Sequence, residues 1–380
     1  MQSDRLSILF AGGGTGGHLF PAIAIADEIR KMIPAASIAF VGTKGKIEAR
    51  VVPAQGYSFY PVWISGFRRK LTVENIMFPL KVVVALVQSF FLIKKLKPNV
   101  VVGTGGYVSG PVLYVASLLG VPTLVQEQNS YPGVTTRILS SRVDEVHISF
   151  ERSRTHLKPS DNVKLTGNPT RDMVGKISRE EGATYFGLDP AKKTVLVFGG
   201  SLGASSINTA MLVTSSDLAS SDVQIIWQVG GADLAGVKTQ IEQGHQQERI
   251  KVYDFIEKME YAYAAADLAV CRSGATTVAE LARAGVPSVL IPYPFAAADH
   301  QTENARAMVD SGASMMIRDT ELKNNLLATI KTLLHDGTRL KKMSESARGL
   351  SKPNAASAIA RAAMTLAKNY YDRTREGLQI

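Results

Sequence analysis

Cysteine is nearly missing from the chain: Cys271 is the one residue of its kind in 380. A disulfide framework is therefore excluded, and such usage fits a reducing compartment. Long apolar runs are missing as well. The longest, Val82 to Ile93, is interrupted by Gln88 and Ser89 and fenced by Lys81 and Lys94-Lys95. A membrane-spanning helix needs about 20 apolar residues, so this run is not expected to span. Leu6 to Phe10 is too short for the core of an export signal, and a cytosolic chain is expected. No histidine pair has H-x-H or H-E-x-x-H spacing, and no Asp-x-Asp occurs, so clamping a pyrophosphate through Mg²⁺ is disfavoured. No metal or other cofactor is expected. Basic side chains outnumber acidic ones by 43 to 33, a net +10, but no basic stretch is interleaved with aromatics. That argues against nucleic acid while leaving a general preference for polyanions, such as anionic lipid or a phosphorylated substrate.

What is present is an alternation. Short apolar strands are expected at Ser7-Phe10, Ser37-Val41, Val100-Val102, Thr123-Val125 and Glu145-Ile148, with helical periodicity between them. After the polar stretch Arg171 to Pro190 a second series follows, at Val195-Phe198, Gln224-Val229, Lys251-Tyr253, Leu268-Cys271 and Ser288-Ile291. This pattern predicts an α/β chain with two doubly wound parallel sheets, each covered on both faces. The expected domains are residues 1–168 and 169–354. A final helix in 355–380 is expected to pack back on the first domain. Ligands of such sheets bind beyond the carboxyl ends of the strands, and two such edges confronting one another would form a cleft.

Three glycine-bearing turns end strands: Gly12 to Gly17, Gly199 to Ala204, and Arg272 to Thr277. Gly12, Gly14 and Gly17 satisfy the dinucleotide fingerprint G-x-G-x-x-G. The second strand, however, ends Val41-Gly42-Thr43-Lys44 without the carboxylate that would hold a ribose. The dehydrogenase reading therefore lacks its anchor. The turns still suit phosphate cradled by backbone N–H groups at helix starts. Glu280 follows the third turn, where it could accept from two ribose hydroxyls or be an ordinary helix glutamate. His18, directly after Gly17, could take a proton from an attacking hydroxyl or bind a phosphate. Gln126 to Asn129, and Asp299-His300-Gln301 with Asn304, offer amides for sugar hydroxyls and an acetamido group, or plain helix caps.

Taken together, these strings resemble the bacterial transferases that add N-acetylglucosamine to undecaprenyl-pyrophosphoryl-N-acetylmuramoyl-pentapeptide. The resemblance rests on Gly13-Gly14-Thr15-Gly16-Gly17-His18, Gly105 to Pro111, Glu127-Gln128-Asn129 with Pro132-Gly133, and Thr166 to Pro169. It continues through Gly199-Gly200-Ser201 with Gly203-Ala204, Cys271 to Ala275, Glu280, and His300-Gln301 with Asn304. It implies a Rossmann-like GT-B glycosyltransferase fold and an inverting transfer from UDP-N-acetylglucosamine. By the same resemblance the donor site maps onto Thr15, Gly16, Gly17, Asn129, Arg171, Ser201, Ile256, Ala275, Thr276, Thr277, Val278, Ala279, Glu280 and Gln301. Glu280 would hold the ribose and Ile256 would line the uracil pocket. Ser201 and the helix start at Ala275 would meet the phosphates, while Arg171 and Ser273-Thr277 would supply positive potential to the departing UDP. His18 is the candidate base. The first glycine turn and Gly103 to Gly110 would face the lipid pyrophosphate. Leu202 and Gln126 depart from the family pattern, which more often has glutamine and histidine there.

A polyprenyl-linked acceptor implies a peripheral place on the cytoplasmic face of the inner membrane. Val62-Trp63-Ile64, Phe67-Arg68-Arg69-Lys70-Leu71 and Ile76-Met77-Phe78 mix apolar and basic residues in a way that suits anionic headgroups. Two other classes remain open: a UDP-N-acetylglucosamine 2-epimerase and a non-catalytic nucleotide-sugar sensor, neither of which requires a lipid.

Overall fold

A computed structural model describes residues 6–66, 76–200, 203–296 and 299–376. Phe67 to Leu71, Ser201 and Leu202 lie outside the described residues. The chain divides into two compact units, Met1–Pro169 with Pro353–Ile380, and Thr170–Lys352.

In the N-terminal unit the described residues form a parallel sheet of β1 (Ser7–Gly12), β2 (Ser37–Thr43), β3 (Ser58–Val62), β4 (Val100–Gly105), β5 (Thr123–Glu127), β6 (Glu145–Ile148) and β7 (Val163–Leu165). Their spatial order is β3-β2-β1-β4-β5-β6-β7. In the C-terminal unit β8 (Thr194–Phe198), β9 (Gln224–Gln228), β10 (Ile250–Tyr253), β11 (Leu268–Cys271), β12 (Ser288–Leu290) and β13 (Ser314–Met316) are ordered β10-β9-β8-β11-β12-β13. Both sheets reverse direction of winding beside their first strand, which leaves a crevice at the carboxyl ends of β1 and β4 and, in the other unit, of β8 and β11. Those ends carry the glycine turns.

Strands β3, β7 and β13, which the sequence pattern does not signal, are all sheet edges. Edge strands are short and half-solvated, and β3 carries Pro61, so they lack the continuous apolar run of the buried strands.

The helix Ala355–Glu376 returns to the first unit. Ile359, Ala360, Ala363 and Ala367 lie on one face at helical spacing and are buried with Leu19, Ala22, Ile25 and Ile29 of the helix Gly16–Met32. Their small side chains let the two backbones approach closely.

The helix Phe78–Leu96 is inverted in polarity. Its buried face holds Lys81, Ala85, Ser89 and Ile93, with Lys81 Nζ donating to Ser65 Oγ at 2.8 Å. Its outward face presents Leu80, Val83, Val87 and Phe91, continued by Ile76 and Met77. No helix among the described residues is long and apolar enough to cross a membrane.

Candidate active site

In the N-terminal unit, β1 and β4 lie side by side with Gly12 opposite Gly105, so their two turns share one crevice. Gly106 has φ of +82°, and a Cβ there would stand 2.5 Å from the carbonyl oxygen of Gly13. Gly105, at φ of +100°, backs onto the His18 ring, where a Cβ would lie 2.6 Å from Nδ1. Only glycine permits both approaches. Between the turns is a cavity of about 360 Å³ whose walls include Gly14, Thr15, His18, Lys46 and Tyr107. Thr15 is the extended N-cap of the helix Gly16–Met32, and its side chain makes no cap bond.

A carboxylate does arrive at the end of β2, although the strand itself has none. Glu48, from the first turn of the helix Ile47–Ala54, is 1% exposed. Its Oε2 accepts from the Gly14 N–H at 2.9 Å and its Oε1 from the Thr43 N–H at 2.9 Å. Both oxygens are thus committed to tying the two turns together. The sequence reading missed this residue because it lies beyond the strand end where a ribose-binding acid is sought.

His18 Nδ1 lies 3.0 Å from the Thr104 carbonyl oxygen and 3.0 Å from Gln128 Oε1. Glu127, also buried, spends its carboxylate locally. It accepts from the Asn129 backbone at 3.0 Å, Asn129 Nδ2 at 3.2 Å, Gly133 N at 2.9 Å and Thr136 Oγ1 at 2.6 Å. That leaves it without a lone pair aimed at solvent and fixes Asn129.

In the C-terminal unit, the turn after β8 and the turn after β11 flank a second cavity of about 670 Å³. Its walls include Gly199, Gly200, Arg272, Tyr293, Gln301 and Asp319. Arg272 is fixed within it: it ion-pairs with Asp319, donates to Ser206 Oγ at 2.9 Å and reaches the carbonyls of Ile291 and Pro292. Gln301 Oε1 accepts from Tyr293 N at 2.9 Å, and Ser273 Oγ donates to the Gln301 carbonyl at 2.8 Å. The N-cap of the helix Ala275–Ala284 is Gly274, which offers no side-chain cap, so the first amides of this helix remain available to an anion.

Glu280 is 4% exposed. Tyr263 donates to its Oε2 at 3.1 Å, whereas Oε1 has no hydrogen-bond partner among the described residues. Burial pushes the Glu280 carboxyl above its usual range, against the pull of Arg171 and of the Tyr263 hydroxyl. Burial, followed by the charge of Glu280, pushes Tyr263 well up, so it remains a donor. An acceptor atom held this way, desolvated and without a hydrogen bond although it faces the Arg171 guanidinium, can take a hydroxyl donor. Thr276 Oγ1, four residues earlier, is also buried and without a partner.

Other expected donor residues divide. Arg171, expected beside the phosphates, has Nε 3.6 Å from Glu280 Oε1: the half-exposed guanidinium meets the buried carboxylate. Val278 is fully buried, so its side chain belongs to the core. Ala275, Thr276, Thr277 and Ala279 share the first turns of the same helix. The Ile256 N–H is already occupied, donating to Gln228 Oε1 at 2.8 Å, while Gln228 Nε2 donates to the Gly200 carbonyl at 2.8 Å. Gln228 therefore ties the glycine turn to the Ile256 loop, and it was missed because it ends a strand otherwise read as core. Thr15, Gly16, Gly17, His18 and Asn129 belong to the N-terminal unit, and Arg171, Ile256, Ala275 to Glu280 and Gln301 to the other. Ser201 lies outside the described residues.

Comparison with known proteins identifies the family. The Glycosyltransferase family 28 N-terminal domain matches residues 8–148 and the Glycosyltransferase family 28 C-terminal domain residues 194–360. A UDP-N-acetylglucosamine--N-acetylmuramyl-(pentapeptide) pyrophosphoryl-undecaprenol N-acetylglucosamine transferase of Chlorobaculum parvum is 44% identical over 369 residues, 96% of this chain and 100% of that protein. The crystal structure of Acinetobacter baumannii MurG superposes with a TM-score of 0.76 at 29% identity, covering 95% of this chain and 100% of that one. A UDP-GlcNAc 2-epimerase from Neisseria meningitidis reaches a TM-score of 0.65 at 14% identity over 95% and 100% of the two chains, a likeness of fold alone. With two GT-B-type domains and near full-length identity of this order, the chain belongs to glycosyltransferase family 28, among its UDP-N-acetylglucosamine--N-acetylmuramyl-(pentapeptide) pyrophosphoryl-undecaprenol N-acetylglucosamine transferases.

Proposed function

We propose that this enzyme moves N-acetylglucosamine from UDP-N-acetylglucosamine to the 4-hydroxyl of undecaprenyl-pyrophosphoryl-N-acetylmuramoyl-pentapeptide, forming the β-1,4 disaccharide lipid precursor of peptidoglycan. The observation that carries the reading is the buried Oε1 of Glu280, which makes no hydrogen bond among the described residues, on a helix whose start is uncapped; this suits a ribose followed by a diphosphate. The donor sugar is α-linked and the product β-linked, so one displacement with inversion suffices. The acceptor oxygen attacks C1 as the bond to UDP breaks; its proton passes to His18, and the charge gathering on UDP is met by the helix start at Gly274 to Thr277. Arg171, placed against Glu280, serves the ribose end of the donor and adds positive potential there. The cavity lined by Gly14, Thr15 and Lys46 takes the acceptor's pyrophosphate.

The enzyme acts from the cytoplasmic face of the inner membrane as a peripheral protein. The outward stripe Leu80, Val83, Val87 and Phe91, next to Lys94 and Lys95, supports contact with an anionic lipid surface. Each such side chain gains about 1.5–3 kcal/mol on full burial in an apolar phase. Flotation with anionic vesicles should carry the protein upward, and Val87→Glu with Phe91→Glu should leave it in solution.

The deciding experiment supplies UDP-N-acetylglucosamine with and without the lipid-linked acceptor. UDP release that depends on acceptor is expected. Epimerised donor would identify an isomerase instead, and an inert donor would identify a sensor.

A further inference from the structure

We propose that Gln128 is a positioning residue that holds His18 as its Nδ1–H tautomer, leaving Nε2 to receive the acceptor's proton. The proposal deepens the assignment of His18 as base and rests on that reading for its catalytic consequence.

The tautomer follows from the partners. A backbone carbonyl can only accept, so Nδ1, 3.0 Å from the Thr104 oxygen, must carry the hydrogen. The second group at Nδ1 is the Gln128 amide oxygen, also at 3.0 Å. The orientation of that amide is itself dictated. Its nitrogen donates to the Thr104 carbonyl at 2.7 Å, to the Gln126 carbonyl at 3.2 Å and to Gln126 Oε1. Rotating the amide by a half-turn would set an oxygen against three acceptors and an NH₂ against an N–H. The Gln128 side chain therefore presents its oxygen to His18.

The relay continues away from the histidine. Gln126 Nε2 donates to Ser149 Oγ at 3.3 Å and to Asn168 Oδ1 at 3.3 Å, and Ser149 Oγ donates to the Glu127 carbonyl at 2.7 Å. Gln126 and Gln128 are both 2% exposed or less, so water does not compete for these bonds. The chain Asn168, Gln126, Gln128, His18 runs from the last turn of the N-terminal unit to the cavity wall. Gln126 accepts from Gln128 while donating to Asn168. Among the described residues, the ionisable groups around the imidazole are Lys46 and Tyr107, which line the same cavity, and Glu48, which holds the neighbouring Gly14.

A histidine base held in the wrong tautomer has been observed to lose about 10⁴-fold in kcat. The test uses the full-length enzyme with ¹⁵N-labelled histidine. In the parent, Nδ1 should resonate as the protonated nitrogen and Nε2 as the bare one at neutral and mildly alkaline pH. Gln128→Leu removes one of the two acceptors and should mix the tautomers and lower kcat at least tenfold, with the KM for UDP-N-acetylglucosamine little changed. Gln128→Glu keeps an acceptor at Nδ1 and should retain the tautomer, but it sets its other oxygen against the Thr104 and Gln126 oxygens, so it should melt below the parent. A parent spectrum with Nε2 protonated, or a Gln128→Leu spectrum and kcat matching the parent's, would overturn the proposal. The two readings separate because the spectrum does not depend on turnover. If His18→Ala retains full activity while Nδ1 is protonated in the parent, the base assignment fails and the placement of His18 by Gln128 stands.

Discussion

Replacing Glu48 by glutamine probes how the N-terminal glycine turn keeps its shape. In the parent each carboxylate oxygen accepts one backbone N–H, from Gly14 and from Thr43, both at 2.9 Å. Hydrogen bonds to a charged acceptor contribute roughly 1.5–3 kcal/mol each. An amide of the same shape keeps one acceptor and turns its NH₂ toward the other N–H, whichever way it lies. Gly14 is exposed and can recruit water, so the cheaper arrangement keeps Thr43 and releases Gly14. The net loss is one charge-assisted bond, partly recovered from solvent, or about 2 kcal/mol. For a unit of this size that corresponds to a fall in Tm of roughly 4–8 °C. Calorimetry measures the shift, and amide exchange should quicken at Gly14 more than at Thr43. The KM for the lipid acceptor should rise while that for the nucleotide-sugar changes little, since the cavity wall containing Gly14 and Thr15 is what loosens. A variant melting within about 1 °C of the parent, with unaltered exchange at Gly14, would refute the view that this carboxylate buckles the two turns.

Tyr263→Phe removes the hydroxyl that donates to Glu280 Oε2 and should raise the KM for UDP-N-acetylglucosamine about tenfold, with a smaller effect on kcat, measured by steady-state kinetics. With ribose hydroxyls donating to the ionised carboxyl as proposed, and burial raising the Glu280 value, donor KM should climb as pH falls through that raised value; Glu280→Gln should remove the dependence. His147 is displaced downward by burial, against the attraction of Glu145. Its folded value lies below the unfolded 6.5, so its contribution to stability is complete above pH 6.5 and is lost as pH falls through the folded value. Denaturation curves between pH 7 and 5 should show that decline, and His147→Gln should flatten it. Under the proposed holding of the diphosphate by helix amides, with no Asp-x-Asp available for a divalent ion, chelator should leave turnover unchanged.

The buried strands were legible because a parallel strand covered on both faces must be an uninterrupted apolar run. Leu268–Cys271 coincides with its expected limits for that reason. The glycine turns were legible because absent side chains in series have few other uses. Polar residues whose partners are remote in the chain were not. Glu48 reaches Gly14 across 34 residues, Gln128 reaches His18 across 110, and Gln228 reaches Ile256 across 28. Nothing local distinguishes these side chains from solvated ones, since hydrogen bonding of this kind has no periodicity.

The sequence by itself determined two α/β series, the turns that end their strands, and a family whose chemistry those turns serve. The tertiary structure alone decided which atoms are free to act. It committed both oxygens of Glu48 and all of Glu127 to backbone and neighbours, left Oε1 of Glu280 without a hydrogen bond among the described residues, turned Arg171 to that oxygen, and put the hydrogen of His18 on Nδ1. The reason is that composition and spacing fix what a side chain can donate or accept, whereas only the folded chain settles how many of those bonds are already made.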